Sequence, residues 1–179
     1  IPFIDINNKS CVEHELIINH DYRKSGISKL ERFFYPINDK TFFQASSFFR
    51  EISKGKINKP KKIIIKGRDF VIQNFYEGSA RFDFNDLCGV SIGAEDYIKI
   101  ATLCNFILID GVPNFSDESA DKQQRFITLI DILYEKKIPI LLTANFNYKN
   151  FKSSRRLIDP YKRTISRLFE LTSPKFTIK

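Results

Sequence analysis

Arg163 and Arg167 stand four residues apart near the end of the chain. At that spacing two side chains share one face of a helix. Two guanidiniums on one face can clamp a phosphate, because each planar fork matches phosphate oxygens. The competing reading is a solvent-facing basic stripe, or a pairing with Glu170. Arg125 and Asp131 form a second set. Each sits about a third of a turn from the apolar centre line of a helical pattern, on opposite flanks. A charge at such a boundary pairs with a neighbouring element or contacts a partner. Asp110 closes the apolar run 106–109, and Thr143 to Asn145 close the run 138–142. In open α/β sheets, ligands sit beyond the carboxyl ends of the strands. Asp110 stands where a Mg²⁺-binding acid would.

Other chemistry is missing. No Gly-x-x-x-x-Gly-Lys-Ser/Thr occurs, so Asp110 has no phosphate-cradling loop to serve. There is no nucleophile elbow and no His-Glu-x-x-His. His14 and His20 share a strand face but find no third or fourth ligand. Cys11, Cys88 and Cys104 are odd in number and lack metal spacing, so they read as reduced, buried small hydrophobes. The residues by themselves support no catalytic constellation and no metal site.

The elements that must position these residues centre on 106–144. Two continuous apolar runs flank a helical pattern in which Phe126, Leu129, Ile130, Leu133 and Tyr134 recur at helical steps. This predicts strand–helix–strand, with both strands buried on both faces, parallel, and joined by a right-handed crossover. The helix is expected to start at Ser116 or Asp117, with Lys136 and Lys137 in its last turn. Upstream, residues 1–8 read as the tail of a helix and 11–19 as a strand. Asp39 reads as the N-cap of a helix running to residue 54, with Gly55 as its stop. Its apolar positions, Phe42, Phe43, Ala45, Phe48, Phe49 and Ile52, read as a core-packing stripe. Residues 62–84 read as a three-stranded antiparallel meander, with a type II′ turn at Gly67-Arg68 and a second turn at Glu77-Gly78. Arg81 and Asp83 alternate with Phe82 and Phe84, so one face there is wet or ion-paired. Residues 95–103 form a short helix introduced by 91–93.

The fold class is therefore α/β: a parallel strand–helix–strand core with a small antiparallel β-meander. The chain divides into strand plus helices at 1–58, the meander at 62–84 and the α/β part at 91–179. At 179 residues it can bury about 70% of its unfolded surface without staples. Eighteen Phe and no Trp imply a Phe- and Ile-filled core. No apolar run approaches the roughly 18 residues of a membrane span. The formal charge is +8. That balance points to nucleic acid or an anionic surface, or to a merely solvated basic surface. Only residues 56–62 are dense in lysine. The chain begins Ile-Pro and has no Met. It reads as a piece of something longer.

In order along the chain stand Asp21-Tyr22-Arg23; Ala80-Arg81-Phe82-Asp83-Phe84 with Leu87-Cys88; Asp96-Tyr97; Gly111-Val112-Pro113; Arg125-Phe126-Ile127-Thr128-Leu129-Ile130-Asp131 with Leu133-Tyr134-Glu135; and Arg163-Thr164-x-Ser166-Arg167-Leu168-x-Glu170. This series resembles the C-terminal half of the ZapE-type P-loop ATPases and their mitochondrial Afg-type relatives, the lactation-elevated proteins. Leu171-Thr172-Ser173 departs mildly from that pattern, where the family usually shows Met-x-Ser.

The resemblance implies the C-terminal part of an AAA+-like P-loop NTPase fold. It implies ATP and Mg as cofactors of the full-length family, bound by a phosphate loop and an Asp-Glu motif that precede this chain. The chain alone is then unable to hydrolyse ATP. Arg163 and Arg167 become nucleotide-sensing residues, with Arg125 the alternative, at a subunit interface. Implied partners are the N-terminal ATPase half, further copies of the protein, and division or protease machinery. The implied location is cytoplasmic, peripheral to the inner membrane. An alternative reading is a basic interaction module that binds nucleic acid or an acidic protein. A third is a remnant without activity.

Overall fold

The computed structural model describes residues 31–176 and Ile178. The expectations for 1–8 and 11–19, and those on Asp21-Tyr22-Arg23, His14, His20 and Cys11, lie outside the described residues. A five-stranded sheet runs in the order β1-β7-β6-β5-β4. Its strands are β1 (Phe33–Phe34), β4 (Asn74–Tyr76), β5 (Ser79–Asp83), β6 (Phe106–Val112) and β7 (Ile140–Ala144). The neighbours β1/β7, β7/β6 and β6/β5 are parallel, and only β4 is antiparallel. β2 (Lys61–Ile65) and β3 (Arg68–Ile72) form a separate antiparallel hairpin. The helices are α1 (Asp39–Ile52), α2 (Ala94–Leu103), α3 (Ala120–Glu135) and α4 (Ile158–Leu171).

The expected strand–helix–strand is β6–α3–β7, with parallel pairing from Ile107↔Ile140 to Ile109↔Leu142. Successive residues of β6 point to opposite faces. Phe106 and Leu108 join Leu141, Ala45, Phe48 and Phe49 under α1. Ile107 and Ile109 join Ile140, Leu142, Phe126, Leu129 and Leu168 on the other face. Both faces of β6 are dry, which is why its sequence is a continuous apolar run rather than an alternating one. Each such side chain contributes about 1.5–3 kcal/mol on burial.

Several expected details are corrected. The cap of α1 is Asn38, not Asp39: its side-chain oxygen accepts from the Thr41 N–H at 2.9 Å, and the Thr41 hydroxyl accepts from the Asn38 N–H at 3.0 Å. Phe42 and Phe43 do not pack into the core and are 57% and 65% exposed. A helix lying alone on a sheet face buries one narrow stripe, here Ala45, Phe48 and Phe49. Strand 70–75 breaks at Gln73, so the meander divides. Its first two strands make the hairpin, and its last joins the main sheet through β4 and β5. The hairpin turn is centred on Lys66-Gly67, φ 49° and 76°. Two positive φ values in a two-residue loop are type I′, not type II′. Glu77-Gly78 repeats it, with φ 48° and 93°.

α3 begins as expected. Ser116 caps a short 3₁₀ turn, Asp117–Ser119, that runs into the helix. Lys136 is the C-cap and Lys137 is left-handed at φ 55°, so both lie just past the last turn. α4 packs on α3 through Tyr161, Thr164, Ile165, Leu168 and Leu171. Cys88 and Cys104 are free and buried, and burial pushes both thiols up to about 12. No described helix is long and apolar enough to cross a membrane.

Arg32, fully buried, ties β1, the outer strand among the described residues, to the end of α4. Its Nε donates to the Ile140 carbonyl at 3.2 Å. Its Nη2 donates to the carbonyls of Leu171, Ser173 and Phe176 at 3.1, 2.7 and 2.7 Å.

Candidate functional site

Two places bring the chemistry-bearing residues together. The first is the carboxyl end of the parallel strands. Asp83 and Asp110 are register partners on β5 and β6. Arg81 Nε donates to Asp110 Oδ2 at 2.6 Å, and the Thr143 hydroxyl donates to Oδ1 at 3.3 Å. The Gly111 N–H donates to Thr143 Oγ1 at 2.8 Å, so the hydroxyl is aimed at the carboxylate. Arg81 Nη1 reaches Ser46 of α1 at 3.0 Å, and its guanidinium lies 5.1 Å from the Phe42 ring centroid. Arg81 and Asp110 are 20% and 16% exposed. Burial raises the Asp110 carboxyl above its ordinary value, against the lowering by Arg81 and Thr143, and the Asp83 charge adds to the rise.

The position expected of a Mg²⁺-binding acid thus holds a carboxylate with both oxygens engaged. Asn145 is also occupied. Its side-chain oxygen accepts from the Ile37 N–H at 3.3 Å, and its carbonyl from Asn114 Nδ2 at 2.9 Å. These bonds fix the chain entering α1 over the strand ends.

The second place is the seam between α3 and α4. Arg163 and Arg167 share a face, as their spacing requires. Both reach Asp131 of α3. Arg163 Nη2 lies 3.4 Å from Oδ2, and Arg167 Nη1 bonds Oδ1. The Arg167 guanidinium stands 5.0 Å from the Tyr134 ring centroid. The Tyr134 hydroxyl donates to Glu170 Oε2 at 2.6 Å, and that bond raises its pKa. Glu170 thus serves Tyr134, and Asp131 serves the arginines. Arg163 is the more exposed of the two, Arg167 the more enclosed.

Arg125 is not part of this group. Its Nη1 donates to the Cys88 carbonyl at 3.0 Å, in the π-helical turn Asn85–Gly89 that follows β5. It ties α3 to β5.

Asp131 is the residue common to both arginines. Helical periodicity marks it as a boundary charge but not which element stands opposite. Arg32 gave no sequence signal, since a lone Arg before two Phe has no pattern to read.

The described residues do not by themselves fit a nucleoside triphosphate. No Gly-x-x-x-x-Gly-Lys-Ser/Thr leads into a helix among them: β5 is followed by Leu87-Cys88-Gly89-Val90-Ser91-Ile92-Gly93 before α2, and β6 leads into Pro113-Asn114-Phe115-Ser116. The paired arginines already share a carboxylate.

The chain is 23% identical over 176 residues to the cell division protein ZapE of Escherichia coli K12, covering 98% of this chain and 47% of that protein. It is 26% identical over 148 residues to lactation elevated protein 1 homolog B of Danio rerio, covering 81% of this chain and 29% of that protein. The chain spans less than half the length of these curated relatives. No solved structure matches it. The mostly parallel sheet with an added hairpin is consistent with a P-loop NTPase-like fold. The AFG1-like ATPase family matches over residues 1–179, and the chain belongs to that family.

Proposed function

We propose that this chain is the C-terminal part of an ATP-hydrolysing protein whose phosphate loop and metal-binding acids lie in polypeptide outside residues 1–179. One combination carries the reading. The family match covers the whole chain, yet no phosphate-loop motif occurs in it. In this reading ATP and Mg²⁺ are cofactors of the whole protein. Arg163 and Arg167 face its nucleotide, Asp131 holds them in place, and Arg125 is the alternative at a subunit interface. Cell division or protein quality control is the process served, since one relative carries the name cell division protein.

The experiment compares ATP turnover by the 179-residue chain and by a full-length version. The expected result is Mg²⁺-dependent turnover by the full-length protein only. Turnover by the isolated chain at the full-length rate overturns the reading. In the full-length protein, Arg167→Ala should lower kcat at least about tenfold, since a positioned Arg at transferring phosphates is worth orders of magnitude. An unchanged kcat removes the role given to Arg167.

A further inference from the structure

β3 has one edge that no described strand covers. Ile65 and Arg68 flank a two-residue turn, so they form a hydrogen-bonded pair, and bonded and open pairs alternate from there. Ile64↔Asp69 and Lys62↔Val71 are then open pairs, whose N–H and C=O groups point away from the partner strand. The Ile64 carbonyl agrees: it accepts from Lys99 of α2 at 2.8 Å, on the outer side of β2. On β3 the outward groups are those of Asp69 and Val71, and no described residue bonds them. A strand edge in this state is a template for one more strand.

Asp69 and Val71 also line a cavity of about 510 Å³. It exists because the chain bends at Gln73. β4 follows β5 only from Asn74↔Arg81 to Tyr76↔Ser79, so β3 diverges from β5 and leaves a wedge beside Phe82. The rings of Phe70 and Phe82 line the wedge, nearly parallel, with centroids 6.5 Å apart. The far wall is the segment after β5, where Val90 is 46% exposed and Ile92 half-buried. Arg68 bridges the two walls: it bonds the Ser91 carbonyl and reaches Asp96 at 3.4 Å. Of the charged residues around the cavity, Arg68 pairs with Asp96, Asp69 with Lys62 and Arg81 with Asp110. Asp86, on the far wall, has no cationic partner among the described residues.

We propose that this groove takes an extended peptide segment of a partner protein as an added strand on β3. The segment's backbone pairs with the free groups of Asp69 and Val71. Its alternate side chains are aliphatic and rest on Phe70, Phe82, Val90 and Ile92, and one Lys or Arg meets Asp86. Its length is that of β3, five residues. A second copy of the hairpin is the wrong shape, because the edge is recessed between two walls that admit one strand and not a folded ribbon. Nucleic acid is the wrong charge, because the group left free is a carboxylate.

The test is fluorescence polarisation of labelled hexapeptides titrated with the 179-residue chain. One set alternates Val, Ile or Leu with Ser or Thr and carries one Lys; a matching set carries Glu in its place. The Lys set should contain binders, and exchanging Lys for Glu should weaken them at least about tenfold. N-methylation of a binder at alternate residues should abolish binding in one phase and spare it in the other, since only every second N–H faces β3. Val71→Pro removes an outward N–H and no bond to β2, so the hairpin keeps its ladder and binding should be lost. Asp86→Asn should weaken the Lys peptides about tenfold and bring the two sets together. Far-UV circular dichroism matching the unsubstituted chain shows that the variants fold, and the N-methyl series decides even where Val71→Pro does not. Absence of binding by both sets overturns the proposal. So does tolerance of N-methylation in both phases, undiminished binding by folded Val71→Pro, or a concentration-dependent dimer that Val71→Pro abolishes.

Discussion

The Arg81–Asp110 pair makes a demanding test, because it is nearly buried and one of its partners is out of its ordinary titration range. Arg81→Met keeps the length of the side chain and removes the charge. Asp110 then keeps only the Thr143 hydroxyl, and the contacts to Ser46 and the Phe42 ring are lost. Breaking a buried pair by removing one partner costs about 3–5 kcal/mol. With about a fifth of each side chain still wet, the low end applies, about 3 kcal/mol near neutral pH. The cost must fall in acid. Burial raises the Asp110 carboxyl above 3.8, so the folded state holds the proton more tightly than the unfolded chain. The stability linked to that proton is complete below 3.8 and is lost as pH rises through the folded value. Without Arg81 the folded value climbs further, so the loss runs over a wider span of pH and is larger. Urea denaturation followed by far-UV circular dichroism suits a chain with no Trp. The Arg81→Met deficit should be largest near neutrality and shrink toward the acid end. Adding Asp110→Asn should recover most of it, because no unpaired charge is left. A deficit that is equal at both pH values, or that persists in the double variant, refutes the reasoning.

Two further outcomes follow from the caps and seams. Asn38→Ala should cost about 1 kcal/mol, read as a lower urea midpoint with an unchanged slope, since the Thr41 N–H loses its acceptor. Asp131→Asn should also cost about 1 kcal/mol, because its partners are partly exposed. Combining it with Arg167→Ala should cost less than the two single losses added together, as expected for groups that share one contact.

The central architecture was legible in the sequence because burial on both faces leaves a plain mark: an unbroken apolar run, then a helical stripe, then another run. The hairpin was legible too, but not the break at Gln73. Residues 70–75 alternate well enough to pass as one strand, and which sheet each half joins depends on neighbours far along the chain. Only the first turn differs, by one position, since Lys66 tolerates a left-handed backbone that its identity does not advertise; the second falls at Glu77-Gly78 as expected. Phe42 and Phe43 fitted the helical period as well as Phe48 did. Only the lone placement of α1 decides which stripe is wet. For the site, four-residue spacing put Arg163 and Arg167 on one face. Their shared acceptor lies 32 and 36 residues away, beyond any local pattern.

The brevity of β1 has a cost that Arg32 conceals. Two residues, Phe33 and Phe34, shield the flank of β7, five residues long and buried throughout. So short a strip holds by its own ladder only weakly, and the guanidinium anchors it to the Ile140 carbonyl of β7 and to three carbonyls, of Leu171, Ser173 and Phe176, that are made later. Until the segment around Ser173 to Phe176 emerges, β7 presents an open, greasy edge to whatever other chain is nearby. The stretch from Leu171 to Phe176 therefore acts against self-association of the nascent polypeptide, well away from any chemistry it performs.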